Sequence, residues 1–162
     1  MRPAPSIRAP PDPPHVGLAS GPDQRTLRSV SQGRLRVVVA DNDRDALDLI
    51  ATDLALEGHD IVGRAADGEN AVALCGALAP DVLVTDYRMA PGIDGVAVAR
   101  RLLRGLPGIR VIVYSNYRDP AIARAAERTG ALFLEKGNLA ALRRAVRGEQ
   151  VSPTRRPSPP PT

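Results

Sequence analysis

The stretch that decides the fold is Leu35-Arg36-Val37-Val38-Val39-Ala40, followed directly by Asp41-Asn42-Asp43. Its apolar residues run continuously instead of alternating with polar ones. This pattern is typical of a strand buried on both faces of a parallel sheet. The change from apolar residues to three polar ones indicates where the strand ends.

Two other apolar runs also end in charge. The run Asp81-Val82-Leu83-Val84-Thr85 ends in Asp86, and Ala131-Leu132-Phe133-Leu134 is followed two positions later by Lys136. Ligands of open α/β sheets bind at the carboxyl ends of the strands. We therefore expect Asp41, Asp86 and Lys136 to meet at one edge of the sheet.

Strand and helix patterns alternate along the rest of the chain. Five such units with continuous apolar strands predict a flavodoxin-like (βα)5 fold, a doubly wound parallel sheet with strand order 2-1-3-4-5. No Gly-x-Gly-x-x-Gly follows the first strand, so the dinucleotide-binding order is less favoured. The expected strands are 35–40, 61–63, 81–85, 111–114 and 131–134, and the expected helices lie between Asp43 and Gly58 and over 67–78, 96–103, 120–128 and 139–146.

Composition divides the chain into three parts. Residues 1–34 and 151–162 hold 7 and 5 of the 16 prolines and have no periodic apolar pattern. Such segments bury too little apolar surface to offset their ordering entropy. We expect a disordered Pro/Arg-rich tail over 1–34, one folded domain over 35–147 and a disordered Pro-rich tail over 148–162.

The basic charge belongs to the tails. Residues 35–137 carry 12 basic and 15 acidic side chains, while the net charge of the whole chain is +4. Without interleaved aromatic residues, direct nucleic-acid binding is not expected.

A single cysteine, Cys75, in a helical apolar stretch indicates a buried residue in a reducing compartment. No apolar run reaches membrane-spanning length and no signal peptide is evident, so we expect a cytoplasmic protein with no membrane contact.

The predicted site suggests phosphoryl chemistry. Two carboxylates at one sheet edge stay ionised together when a cation lies between them, and hard oxygen ligands of this kind suit Mg²⁺. A carboxylate can also attack a phosphoryl donor to give an acyl phosphate. Lys136, the chain's one lysine among 22 basic residues, supplies an ammonium for the phosphoryl oxygens, and Ser115 supplies a hydroxyl.

These residues resemble the CheY-like receiver domains of two-component response regulators. The resemblance covers residues 35–147 and rests on four pieces in order. They are Val-Val-Val-Ala-Asp-Asn-Asp over 37–43, Val-Thr-Asp-Tyr-Arg-Met over 84–89 with Pro-Gly-Ile-Asp-Gly over 91–95, Val-Ile-Val-Tyr-Ser over 111–115, and Phe-Leu-Glu-Lys-Gly over 133–137.

The resemblance implies a role for each matching residue. Asp86 would be the phosphoacceptor, Lys136 the phosphoryl partner, and Ser115 the switch hydroxyl. Phe133 would be the aromatic residue that repacks with Ser115. The implied Mg²⁺ ligands are Asp41, Asp86 and the backbone carbonyl of Arg88.

Two positions depart from the family pattern. The second acidic residue after the first strand is replaced by Asn42, which adds no charge, so Mg²⁺ should bind more weakly unless Asp43 reaches in. Capping the first helix is the commoner role for Asp43. Ala90 is an extra residue in the loop after Asp86, and surface loops tolerate insertions. Asp94 is expected to cap the third helix, and His59 to be a turn residue.

The stretches 60–69 and 145–149 resemble receivers of the LuxR/NarL type, which are joined to a DNA-binding domain. Only about 15 residues follow the fifth helix, so we expect such a receiver without its output domain. It would take a phosphoryl group from a histidine kinase or phosphotransfer protein. It would then bind an effector, or form a homodimer, through the face of the fourth helix, fifth strand and fifth helix.

Two alternatives to a phosphoacceptor stay open at this point. Because Asn42 lowers the charge of the site, the domain could be a pseudo-receiver that acts as a phosphorylation-independent interaction module. Asp86 or Asp41 could also be the nucleophile of a phosphatase, but we expect a signalling domain and no enzyme.

Overall fold

The structure is a computed structural model that describes residues 33–151. Five parallel strands form one sheet in the order β2-β1-β3-β4-β5, and five helices alternate with them. The predicted fold class and strand order are confirmed. The strands are β1 Arg36–Ala40, β2 Asp60–Ala65, β3 Val82–Thr85, β4 Arg110–Ser115 and β5 Leu132–Glu135, and the helices are α1 Arg44–Leu56, α2 Gly68–Leu78, α3 Gly95–Gly105, α4 Pro120–Thr129 and α5 Leu139–Arg147.

The sheet separates two apolar cores. In β1, Val38 contributes to the core under α2, α3 and α4, whereas Val37 and Val39 contribute to the core under α1 and α5. Successive side chains of a strand point to opposite faces, so a strand covered on both sides must be apolar at every position. This explains the continuous apolar runs in the sequence.

Strand ends differ from the prediction by one or two residues. β2 extends to Ala65 because Arg64 and Ala65 pair with Val39 and Ala40 of β1. Ser115 is the last residue of β4, opposite Glu135 of β5, and does not lie beyond the strand. Polar residues are included in these strands because a neighbouring strand binds their backbone.

Cys75 and His59, which lie outside the predicted site, both have buried side chains. Cys75 lies in the core under α2, and burial raises its pKa to about 12. His59 follows the turn after α1, but its side chain is 6% exposed, and its Nδ1 accepts a hydrogen bond from the backbone N–H of Leu35. His59 is therefore more than the turn residue expected from the sequence.

None of the helices within residues 33–151 is both long and apolar enough to cross a membrane. The predicted tails lie almost entirely outside the described residues, so their disorder and the domain bounds stay predictions.

Candidate functional site

The carboxyl ends of β1 and β3 place two aspartates side by side. The strands are neighbours with Ala40 opposite Thr85, and the backbone N–H of Asp86 donates to the Ala40 carbonyl at 2.8 Å. Asp41 is 1% exposed and Asp86 is 7% exposed. Two carboxylates are thus held out of water at one edge of the sheet.

Lys136, directly after β5, bridges the two carboxylates. Its Nζ lies 2.6 Å from Oδ2 of Asp41 and 3.2 Å from Oδ1 of Asp86. Burial acts to lower the pKa of Lys136, but its hydrogen bond to Asp41 and the negative charges of Asp86 and Asp41 outweigh burial and raise the pKa overall. The side chain is therefore an ammonium ion, the counter-charge that two adjacent carboxylates require.

Each carboxylate uses its two oxygens in the same way. The oxygen that does not face Lys136 accepts a hydrogen bond from the backbone N–H two residues later. For Asp41 the donor is Asp43, at 3.0 Å, and for Asp86 it is Arg88, also at 3.0 Å. The loops after β1 and β3 thereby fix the orientation of both carboxylates.

Ser115 lies in β4, the neighbour of β3, and Phe133 lies in β5 at the edge of the sheet. Ser115 is fully buried, its Oγ accepts from the backbone N–H of Tyr117 at 3.4 Å, and its carbonyl accepts from the N–H of Lys136 at 2.9 Å. Phe133 of β5 lies opposite Val113 of β4. Its half-buried side chain packs against the core under α2, α3 and α4. Their switch roles stay predictions.

Asn42 and Asp43 are both exposed in the loop after β1. The Asp43 carboxylate caps α1, accepting from the backbone N–H groups of Asp45 and Ala46 at 2.9 and 3.3 Å. Across residues 33–151, no three His, Cys, Asp or Glu side chains gather in a way that could hold a metal ion. The structure therefore brings Asp41 and Asp86 together without Asp43.

Two further predicted positions lie in the loop after β3. Ala90 is exposed, as expected for an insertion in a surface loop. Asp94 accepts from the backbone N–H of Ala97 at 2.8 Å and caps α3, which confirms its expected role. The assignment of the Arg88 carbonyl to a metal ion stays a prediction.

The sequence analysis missed a polar and aromatic cluster at the rim of the site. The guanidinium of Arg88 donates to the hydroxyl of Tyr117 at 2.6 Å, and the rings of Tyr87 and Tyr117 meet edge to face with centroids 5.7 Å apart. Both tyrosines closely follow strand ends, which is the signal that could have found them. The cluster joins the loop after β3 to the loop after β4.

Gly95 allows α3 to begin directly against Asp86. A Cβ atom at this position would overlap the backbone carbonyl oxygen of Asp86, and the Gly95 N–H donates to the carbonyl of Tyr87 at 2.8 Å. The first residue of α3 is thus part of the support for the loop that carries Asp86.

The donor set fits Mg²⁺. This ion prefers hard oxygen ligands and commonly binds through one or two carboxylates while it keeps several waters. Asp41 and Asp86 would hold it, since their carboxylates are the negatively charged groups that converge at this edge.

The chain belongs to the response regulator receiver domain family, which matches residues 37–147. The fold and the strand order agree with this assignment. The chain is thus a receiver domain of the kind that functions in two-component signalling.

Similar proteins are response regulators of the same type. The chain is 35% identical over 109 residues to "Response regulator GacA" of Pseudomonas aeruginosa, a match that covers 64% of this chain and 49% of that protein. It is 38% identical over 99 residues to "Probable transcriptional regulatory protein NarL" of Mycobacterium tuberculosis, covering 60% of this chain and 45% of the relative. The chain therefore spans about half the length of these relatives.

A solved structure shows the same fold. The signal receiver domain of the putative response regulator NarL from Mycobacterium tuberculosis superposes with a TM-score of 0.66 at 35% identity, covering 72% of this chain and 98% of that domain. This chain is similar to the receiver part of such regulators.

Proposed function

We propose that this domain accepts a phosphoryl group on Asp86 from a histidine kinase or phosphotransfer protein. The observation that supports this most is the pair of buried carboxylates bridged by the ammonium of Lys136. A buried cluster with more negative than positive charge favours the binding of a further cation. Bound Mg²⁺ would supply the charge that lets a carboxylate approach a phosphoryl group.

The transfer would form one bond and break one. A carboxylate oxygen of Asp86 attacks the phosphorus atom, and the bond between phosphorus and the donor's imidazole nitrogen breaks. The imidazole keeps the electron pair of that bond and takes up a proton. The ammonium of Lys136, held against Asp86, would then pair with a phosphoryl oxygen.

Signalling would follow from a rearrangement around Ser115 and Phe133. Ser115 is buried at the end of β4 and Phe133 lies in β5, so a change at Asp86 can reach the face formed by α4, β5 and α5. We propose that an effector protein or a second copy of the chain binds this face. That the receiver works without an attached output domain stays a prediction of the sequence.

Phosphorylation with a small donor tests the site. Acetyl phosphate with Mg²⁺ should modify the chain once, and Asp86→Asn should abolish the modification seen by intact mass spectrometry, because the amide cannot form the acyl phosphate. Asp45→Asn makes the same chemical change at an exposed position of α1 and should leave labelling intact. Equal labelling of Asp86→Asn and the unchanged protein would contradict the assignment.

A pseudo-receiver is the second candidate, and Asn42 is the observation that favours it. Asn42 is exposed and uncharged, and Asp43 is engaged as the cap of α1. In this case the domain would bind partners without phosphorylation. A protein that stays unmodified by acetyl phosphate at saturating Mg²⁺ would support this reading, whereas continuous turnover of an aryl phosphate would instead indicate an enzyme.

A further inference from the structure

Tyr114 is a buried residue of β4 without a role in the chemistry described above. It precedes Ser115, is 3% exposed, and packs in the core under α1 and α5. Its hydroxyl oxygen accepts a hydrogen bond from the backbone N–H of Gly137 at 3.1 Å. Because Gly137 directly follows Lys136, this bond reaches the loop that carries the ammonium of the site.

The hydroxyl of Tyr114 is a polar group in an apolar core, where the ring alone would fill the space. Burying a hydroxyl costs free energy unless it forms a hydrogen bond. Burial raises the pKa of Tyr114, so the group stays neutral and protonated. The bond from Gly137 is a contact that the hydroxyl provides and that a phenylalanine would lack.

The loop between β5 and α5 is held at three successive residues. The N–H of Lys136 donates to the carbonyl of Ser115 at 2.9 Å, and the side chain of Asn138 caps α5 by accepting from Ala141 at 2.9 Å. Between them, Gly137 has a φ of 102°, a conformation that residues with a side chain rarely adopt. Its backbone N–H donates to the hydroxyl of Tyr114. Consecutive residues of β4, Tyr114 and Ser115, thus bind consecutive residues of the loop.

We propose that Tyr114 is a positioning residue whose hydroxyl fixes the backbone at Gly137 and thereby holds the ammonium of Lys136 between Asp41 and Asp86. A lysine side chain is long and has many rotamers, so holding it in one geometry costs conformational entropy. Contacts at 2.6 and 3.2 Å to two separate carboxylates therefore depend on where its backbone is placed. The effect of Tyr114 on signalling rests on the proposed function, but the positioning can be tested without phosphorylation.

Lys136 is the chain's one lysine, so labelling lysine with ¹³C and ¹⁵N gives a single side-chain spectrum. Tyr114→Phe removes the hydroxyl and keeps the ring. We expect amide hydrogen exchange at Gly137 to become about fivefold faster, which is the effect of losing one ordinary hydrogen bond on an opening equilibrium. We expect the two Cε protons of Lys136 to have distinct shifts in the unchanged protein and to move towards one averaged shift in Tyr114→Phe.

Two variants calibrate this result. Asp41→Asn removes the 2.6 Å partner of Lys136 and should change the lysine signal directly. Thr129→Val removes a hydroxyl that donates to the Ala126 carbonyl at the end of α4, and should leave the lysine signal and the Gly137 exchange unchanged.

Unchanged Gly137 exchange and an unchanged lysine signal in Tyr114→Phe would overturn the inference. Changes in α2 as large as those in the loop would also overturn it, because the variant would then act through the whole fold. If the lysine signal changes but acetyl phosphate fails to modify the unchanged protein, the positioning role stands and the proposed function fails.

Discussion

Two clusters of charged side chains join distant parts of this domain, and they are built differently. At the carboxyl edge of the sheet, Asp41 and Asp86 share the ammonium of Lys136. Between α1 and α5, the guanidinium of Arg143 binds both carboxylate oxygens of the buried Asp53, with Nε at 3.0 Å from Oδ2. One cluster uses a compact point charge and the other a planar fork that matches a single carboxylate.

The second cluster also extends outward to partly exposed residues. The carboxylate of Glu57 lies 3.5 Å from Nη1 of Arg143 through Oε1 and 3.1 Å from Nη1 of Arg147 through Oε2. Nε of Arg147 in turn lies 2.7 Å from Oε1 of the half-exposed Glu149. Water can balance the charges there. At the sheet edge, two buried carboxylates face one ammonium whose side chain is 13% exposed, so most of the imbalance is kept away from solvent. The two clusters therefore differ in buried, unbalanced charge, which is the feature on which the proposed cation site at the sheet edge rests.

Lys136→Met should lower the free energy of unfolding the most among these variants, because it leaves two buried carboxylates without a counter-charge. We expect the free energy of unfolding to fall by about 3 kcal/mol in Mg²⁺-free buffer. Added Mg²⁺ should restore part of the loss, since it replaces the missing cation between Asp41 and Asp86. Urea denaturation with and without Mg²⁺ measures both effects. Full stability without Mg²⁺ would show that the carboxylates do not repel each other.

Arg143→Met should have a smaller effect that Mg²⁺ does not change. Asp53 would lose a two-pronged partner, but Arg143 is about one-third exposed, so water compensates in part. We expect a loss of stability that is smaller than that of Lys136→Met. The neighbouring, exposed Arg144→Met is the matched control and should change stability by less than about 0.5 kcal/mol. A Mg²⁺-dependent loss in Arg143→Met would mean that the two clusters are coupled.

Asn42→Asp should increase the charge imbalance at the sheet edge and so tighten Mg²⁺ binding. One more carboxylate near a dication favours binding by about 1 kcal/mol at an effective dielectric constant of about 20, after repulsion among the carboxylates is counted. Isothermal titration calorimetry measures this as an affinity about fivefold higher. Asp43→Asn, which keeps a side-chain oxygen to cap α1, should leave the affinity unchanged. Equal affinities for Asn42→Asp and the unchanged protein would show that position 42 does not face the ion.

His59, beside the α1 and α5 cluster, should give the smallest effect. Burial, and then the charge of Arg147, lower its pKa, with Glu57 acting in the opposite direction. The unfolded chain therefore binds the proton more readily than the folded domain. Stability is at its full value above the ordinary histidine pKa of 6.5 and decreases as the pH falls from there through the lower folded pKa.

Thermal denaturation between pH 5 and pH 7 tests this dependence on His59. His59→Gln should flatten the profile, whereas His15→Gln replaces the chain's other histidine and should not. Identical slopes for the two variants would assign the pH dependence to other groups.

Much of the fold could be predicted because the strands are apolar at every position. Residues 37–40 and 82–85 are continuous apolar or nearly apolar runs, and the acids that end them indicated which strands are neighbours. Strand ends were less predictable, since Arg64 and Ser115 belong to strands only through pairing with a neighbour. Local sequence does not contain that information.

The residues of the candidate site could be predicted to the same extent as the fold. Asp41, Asp86 and Lys136 follow strand ends, so the topology alone brings them together. The hydroxyl of Tyr114 and the contact between Arg143 and Asp53, 90 residues apart in the chain, depend on side-chain directions across the folded domain. The sequence shows periodicity and strand ends, but it does not show which buried polar atoms will meet.

The burial of Cys75 has a practical consequence for studying this receiver. Its thiol is the chain's one sulfhydryl, lies fully inside the core under α2, and has a pKa of about 12, so hardly any reactive thiolate forms at neutral pH. A cysteine introduced on the exposed side of α4 would thus react alone with maleimide probes. A fluorophore or spin label could be attached there without first removing the native residue, and movement of the α4 surface could be followed directly.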